Sequence, residues 1–126
     1  MTEVLNSEQL DELERELSAA DVVNLLNLFL ETTPGLVTSL VDAATGTDTE
    51  DMLRAAHRLK GGCVSIGANA LASVAREIEE RPAAAAELAP QLTDTWQRTA
   101  EALRARIAFG DSEPKLSAEM LNTLAE

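Results

Sequence analysis

Between Leu53 and Ile66 the apolar residues Leu53, Ala56, Leu59, Cys63 and Ile66 recur at steps of three and four, in phase across Gly61-Gly62. That period is the buried face of an α-helix, not of a strand. Each glycine costs a helix about 1 kcal/mol relative to alanine. A glycine pair held inside a helix therefore points to a requirement other than helix stability. The same stepping recurs along most of the chain and confines it to helices. Aromatic residues, which favour strands, are only Phe29, Trp96 and Phe109, with no tyrosine.

Five helices and a tail follow from this periodicity. The first spans about Asn6 to Leu17, with Leu10, Leu13 and Leu17 on one stripe and Asn6 or Ser7 as cap. Ser18, with Asp21 three residues on, begins a long second helix whose inward positions are read as Val22, Leu25, Phe29, Thr33, Leu36 and Leu40. Pro34 is expected to bend this helix rather than end it, because the stripe resumes in phase. Gly46 closes it. Thr47 and Glu50 form a capping-box pattern for the third helix, and Gly67 suits the left-handed residue after its end.

Asn69 is expected to cap a fourth helix, with Leu71, Val74, Ala75 and Ile78 inward. Pro82 and its alanine run open a fifth, striped by Leu92, Trp96, Thr99, Leu103 and Ile107. Short connections imply antiparallel neighbours. The expected fold is all-α, an antiparallel up-down four-helix bundle capped by the first helix. Residues 1–109 form that domain. Residues 110–126 hold a linker, Gly110 to Lys115, and a short C-terminal helix or tail with Ser117 as cap and Met120, Leu121 and Leu124 apolar.

Charge narrows the function classes. Residues 1–51 carry twelve acids and one base, Arg15, leaving ten of the 22 acids and nine of the ten bases for the remainder. With a net charge of −12 and no basic face, phosphate-driven nucleic-acid binding is excluded. No apolar run approaches the ~20 residues that span a bilayer, and no leader pattern opens the chain, so a soluble cytoplasmic protein is expected. A single cysteine, Cys63, precludes an internal disulfide; on the buried stripe it reads as a small core residue. One histidine and one buried cysteine cannot supply a tetrahedral metal set, so no metal site is expected.

The histidine, His57, sits one position past Ala56, at the edge of the buried face. Its face-mates are Leu53, Arg54, Lys60, Gly61 and Val64. Lys60 at i+3 brings a cation, and Gly61 at i+4 removes the side chain that would shade the ring. Arg54, Arg58 and Lys60 make a local positive spot suited to a small anion or to an acidic pocket on a partner. If helices three and four form a hairpin about Gly67-Ala68, residues equidistant from the turn lie level. His57 is eleven before Ala68 and Glu79 eleven after it. Glu79 can then accept from the Nδ1–H of His57, leaving Nε2 as the free nucleophile. Arg76 is read either as a partner contact or as the mate of Glu80 at i+4.

The run Ala56-His57-Arg58-Leu59-Lys60-Gly61-Gly62, with Ile66-Gly67-Ala68, Leu71 and Ile78-Glu79, resembles the signature of histidine-containing phosphotransfer (HPt) domains. The double glycine is most similar to the phosphotransfer domain of bacterial chemotaxis kinases. Phe29-Leu30-Glu31-Thr32-Thr33-Pro34-Gly35-Leu36 resembles the family's second helix, so the likeness covers about residues 5–108. Many members have serine after the Lys-Gly pair and glutamine at the orienting position, where this chain has Gly62 and Glu79.

The resemblance implies that His57 carries a phosphoryl group between receiver-domain aspartates in a multistep His–Asp phosphorelay. Lys60 would neutralise phosphoryl oxygens, Gly61 would give clearance, and Glu79 would orient the ring. Leu53, Arg54, Arg58, Gly62, Val64 and Arg76 are the expected partner contacts. The implied partners are response-regulator receiver domains and a sensor or hybrid histidine kinase, with the chain itself a monomer. No cofactor is expected in the chain, Mg²⁺ belonging to the receiver. No glycine-rich nucleotide loop is present, so self-phosphorylation is not expected. The alternative is an adaptor that binds or sequesters receiver domains without phosphate flow.

Overall fold

A computed structural model describes residues 3–115. Five helices occupy them: α1 (Ser7–Glu16), α2 (Ala19–Ala44), α3 (Thr49–Ile66), α4 (Asn69–Glu80) and α5 (Ala85–Lys115), with a 3₁₀ turn at Pro82–Ala84 before α5. No strand occurs among the described residues. In the bundle, α2 packs against α3 and α5, and α4 packs against the same two helices. Leu26, Leu40, Leu59, Ile66, Leu71, Ile78, Leu92 and Leu103 fill its centre. Burying one such side chain contributes about 1.5–3 kcal/mol.

The bundle is all-α as expected, but its details differ in informative ways. On α2 the buried positions are Val22, Leu26, Phe29, Thr33, Val37 and Leu40. Leu25 and Leu36 are only partly buried against the core. Both registers keep the helical period, and the placement of α3 and α5 on either flank decides between them. On α3, likewise, Met52 is buried and Leu53 only partly so. Pro34 lies inside a continuous α2.

Two caps also move. Asp48, not Thr47, caps α3, its Oδ1 accepting from Asp51 N at 3.0 Å. Aspartate one position later offers the same acceptor at the same reach. Asn69 is the first residue of α4, and its N-cap is Ala68, which has no side-chain acceptor. The α3–α4 turn itself holds that junction. Gly67 takes the left-handed conformation (φ 81°), while Ala68 N donates to Cys63 O at 2.8 Å and Gly67 N to Val64 O at 3.4 Å.

At the other end of the chain, helix α5 continues to Lys115, so the backbone of Gly110 to Lys115 is helical rather than a linker. One glycine costs only about 1 kcal/mol and does not by itself stop a helix. The short helix expected after Ser117 lies outside the described residues.

Helix α1 caps the bundle at the α3–α4 turn. Gln9 Nε2 donates to Val64 O (2.8 Å) and Ser65 O (3.2 Å), carbonyls of the last turn of α3. Asn6 N donates to Gly67 O at 2.8 Å. Arg106 on α5 bridges Asp11 and Glu14 at 2.8 and 3.2 Å. Leu10 is fully buried beneath these contacts.

Candidate functional site

Helices α3 and α4 bring three side chains of the expected site together. His57 Nδ1 lies 3.1 Å from Glu79 Oε2, and Lys60 Nζ lies 2.6 Å from Glu79 Oε1. Both contacts cross the α3–α4 seam at the level set by the Gly67 turn. His57 has 73% of its side chain exposed, whereas Glu79 has 20% and Lys60 28%. The imidazole therefore stands in solvent on a carboxylate that is largely enclosed.

The charge state of Glu79 settles the tautomer. The Lys60 ammonium holds its carboxyl below the usual range; partial burial opposes this, and the His57 contact lowers it further. An ionised carboxylate only accepts hydrogen bonds. The proton of a neutral His57 ring is thus on Nδ1, and the lone pair of Nε2 is free.

Neither neighbouring glycine is required by packing. A Cβ on Gly61 would meet nothing within 4 Å, and one on Gly62 would meet only Cε1 of Phe29, at an ordinary 3.7 Å. Neither has a positive φ. Both lie in the interior of α3, as their in-phase stripe requires. The space over Gly61 is open, one turn along the helix from His57.

The remaining expected contacts separate into distinct groups. Arg58 and Arg76 are exposed and have no ion pair among the described residues, so Arg76 is not tied to Glu80. Val64 is 53% exposed. Arg54, by contrast, is committed to its own helix through Glu50 (3.1 Å) and Asp51 (2.5 Å). Leu53 is partly buried against the core, and Gly62 borders Phe29. Cys63 is buried, and burial pushes its thiol up to about 12, which makes it unreactive.

Sequence reasoning missed the Lys60–Glu79 pair, although its signal was present. Lys60 follows His57 by one turn on the flank facing α4, so a carboxylate that reaches one reaches both. It also missed Leu28, which is 55% exposed on α2. Among the described residues no group of three or more His, Cys, Asp or Glu side chains could hold a metal ion, and no helix is long and apolar enough to cross a membrane.

The family model described as Hpt domain matches residues 24–106. Among solved structures, the chain is similar to the crystal structure of histidine-containing phosphotransfer protein B (HptB) from Pseudomonas aeruginosa PAO1. The TM-score is 0.76 at 24% identity, over 83% of this chain and 95% of that one. At that identity the likeness bears on the fold. No match was found among curated proteins.

Proposed function

Because the chain belongs to the Hpt domain family, we propose that His57 takes a phosphoryl group from the aspartyl phosphate of one receiver domain and passes it to another in a His–Asp phosphorelay. The observation that carries this reading is the uncovered imidazole whose Nδ1 faces Glu79. Nε2 attacks phosphorus; the new N–P bond forms as the aspartyl P–O bond breaks and the carboxylate leaves. Nδ1 keeps its proton throughout. The ring becomes cationic, and the Glu79 carboxylate stabilises that charge while fixing the ring orientation. The onward step reverses these bonds.

The receiver supplies the aspartate and its Mg²⁺. This chain supplies the nucleophile and a docking face around it, with Arg58, Gly62 and Val64 as contacts. The phosphoryl group comes only from a partner, so Mg-ATP alone should leave the protein unlabelled. Incubation with a phosphorylated receiver and Mg²⁺ tests the proposal. Wild type should acquire acid-labile, base-stable label, and His57→Gln should acquire none. Unlabelled wild type that still binds the receiver would establish the adaptor reading instead.

A further inference from the structure

A phosphoryl group on His57 adds nearly two negative charges beside Glu79, of which the cationic ring offsets one, on a chain of net charge −12. A countercharge is needed there, and Lys60 is already engaged. Its ammonium lies 2.6 Å from the enclosed Glu79 carboxylate, where it keeps the ring's acceptor ionised. Arg54 is held by Glu50 and Asp51. Arg58 directly follows His57, and sequential neighbours on a helix do not face each other.

Arg76 has none of these commitments. It is exposed and has no ion pair among the described residues. On α4 it precedes Glu79 by three residues, so the two share a flank. Because Glu79 meets both His57 and Lys60, that flank faces α3. One turn from Glu79 towards Gly67, Arg76 comes level with Lys60 and Gly61. The Cβ position of Gly61 is open, and the neighbouring α4 residues Ala72 and Ala75 are small and buried.

We infer that the Arg76 guanidinium reaches across the gap over Gly61 to the phosphoryl oxygens of phospho-His57, while Lys60 stays with Glu79. The inference rests on the proposed phosphoacceptor role of His57. A guanidinium suits the task, since its planar fork donates to two phosphoryl oxygens at once. Gly61 then has a second use, as the path by which a cation on α4 reaches a group on α3.

Phosphoramidate provides a test without a partner: Nε2 takes its phosphoryl group, the donor P–N bond breaks and ammonia leaves. The second ionisation of phospho-His57 is then followed by ³¹P NMR in wild type, Arg76→Ala, Arg76→Lys and Lys60→Ala. Losing an adjacent cation should raise that ionisation by about half a pH unit in Arg76→Ala, given the partial solvent exposure. Arg76→Lys should recover part of the shift, and Lys60→Ala should move it less than Arg76→Ala does. An Arg76→Ala titration that superimposes on wild type overturns the assignment, as does a larger shift in Lys60→Ala. Failure of wild-type His57 to form the phosphoramidate adduct overturns both this inference and the proposed function.

Discussion

At Gly61 a side chain is missing where the fold has room for one. The position is helical, exposed and open for 4 Å around a would-be Cβ. Gly61→Ala should therefore raise unfolding free energy by about 1 kcal/mol, read as a higher urea midpoint. The same methyl group lies beside the path to His57, so phosphotransfer should slow. Gly62→Ala should give a similar stability gain, with its methyl in ordinary contact with Phe29 and less effect on transfer. If both variants transfer at the wild-type rate, clearance is not the reason for the glycines. Glu79 makes a second prediction at this scale. Its folded pKa is lowered, chiefly by Lys60, so its stabilising contribution is fully present above the unfolded carboxylate value and is lost as pH falls through the folded one. The stability difference between wild type and Glu79→Gln should thus shrink as pH drops below about 4. A difference that stays constant down to pH 2 would contradict this.

Individual helices show how local signals are overruled within a turn or two. Both Thr47 and Asp48 precede α3 and both can cap, yet only Asp48 reaches the free N–H of Asp51. Asp48→Ala should cost about 1 kcal/mol, and Thr47→Ala should be close to neutral, as judged by thermal or urea unfolding. The reverse order would return the cap to Thr47. Helix α4 begins without a side-chain cap because the Gly67 turn already pairs the backbone around it. The inward positions of α2 teach the same lesson. Leu25 and Leu26 both fit a helical stripe, and the burial of Leu26 reflects neighbours on two sides that no single helix encodes.

Across the whole molecule, α1 ties together elements far apart in the chain. Gln9 satisfies carbonyls at the end of α3, and Arg106 anchors Asp11 and Glu14 from α5. Gln9→Ala should cost about 1 kcal/mol by leaving those carbonyls to water. Arg106→Met should cost less than a buried pair would, about 0.5–1 kcal/mol, because both carboxylates are well exposed. Urea unfolding separates the two. A Gln9 variant as stable as wild type would mean that Leu10, the Asn6 N–Gly67 O bond and the Arg106 bridge hold α1 without it. In either variant the His57–Glu79 contact should persist, since the α3–α4 hairpin sets it without α1.

The sequence alone determined five helices, the helix-interior glycines beside His57, and the level pairing of His57 with Glu79. Each follows from a local rule: the 3.6-residue period, the cost of glycine, and the symmetry of a hairpin about its turn. Tertiary structure alone decided which of two adjacent apolar residues is buried, and that Lys60 pairs with Glu79 rather than standing free. It also decided that Arg54 is spent within its own helix while Arg58 and Arg76 are not. The physical reason is reach. A long side chain has several candidate partners at helical spacing, and packed helices, by setting the distances between flanks, select one of them.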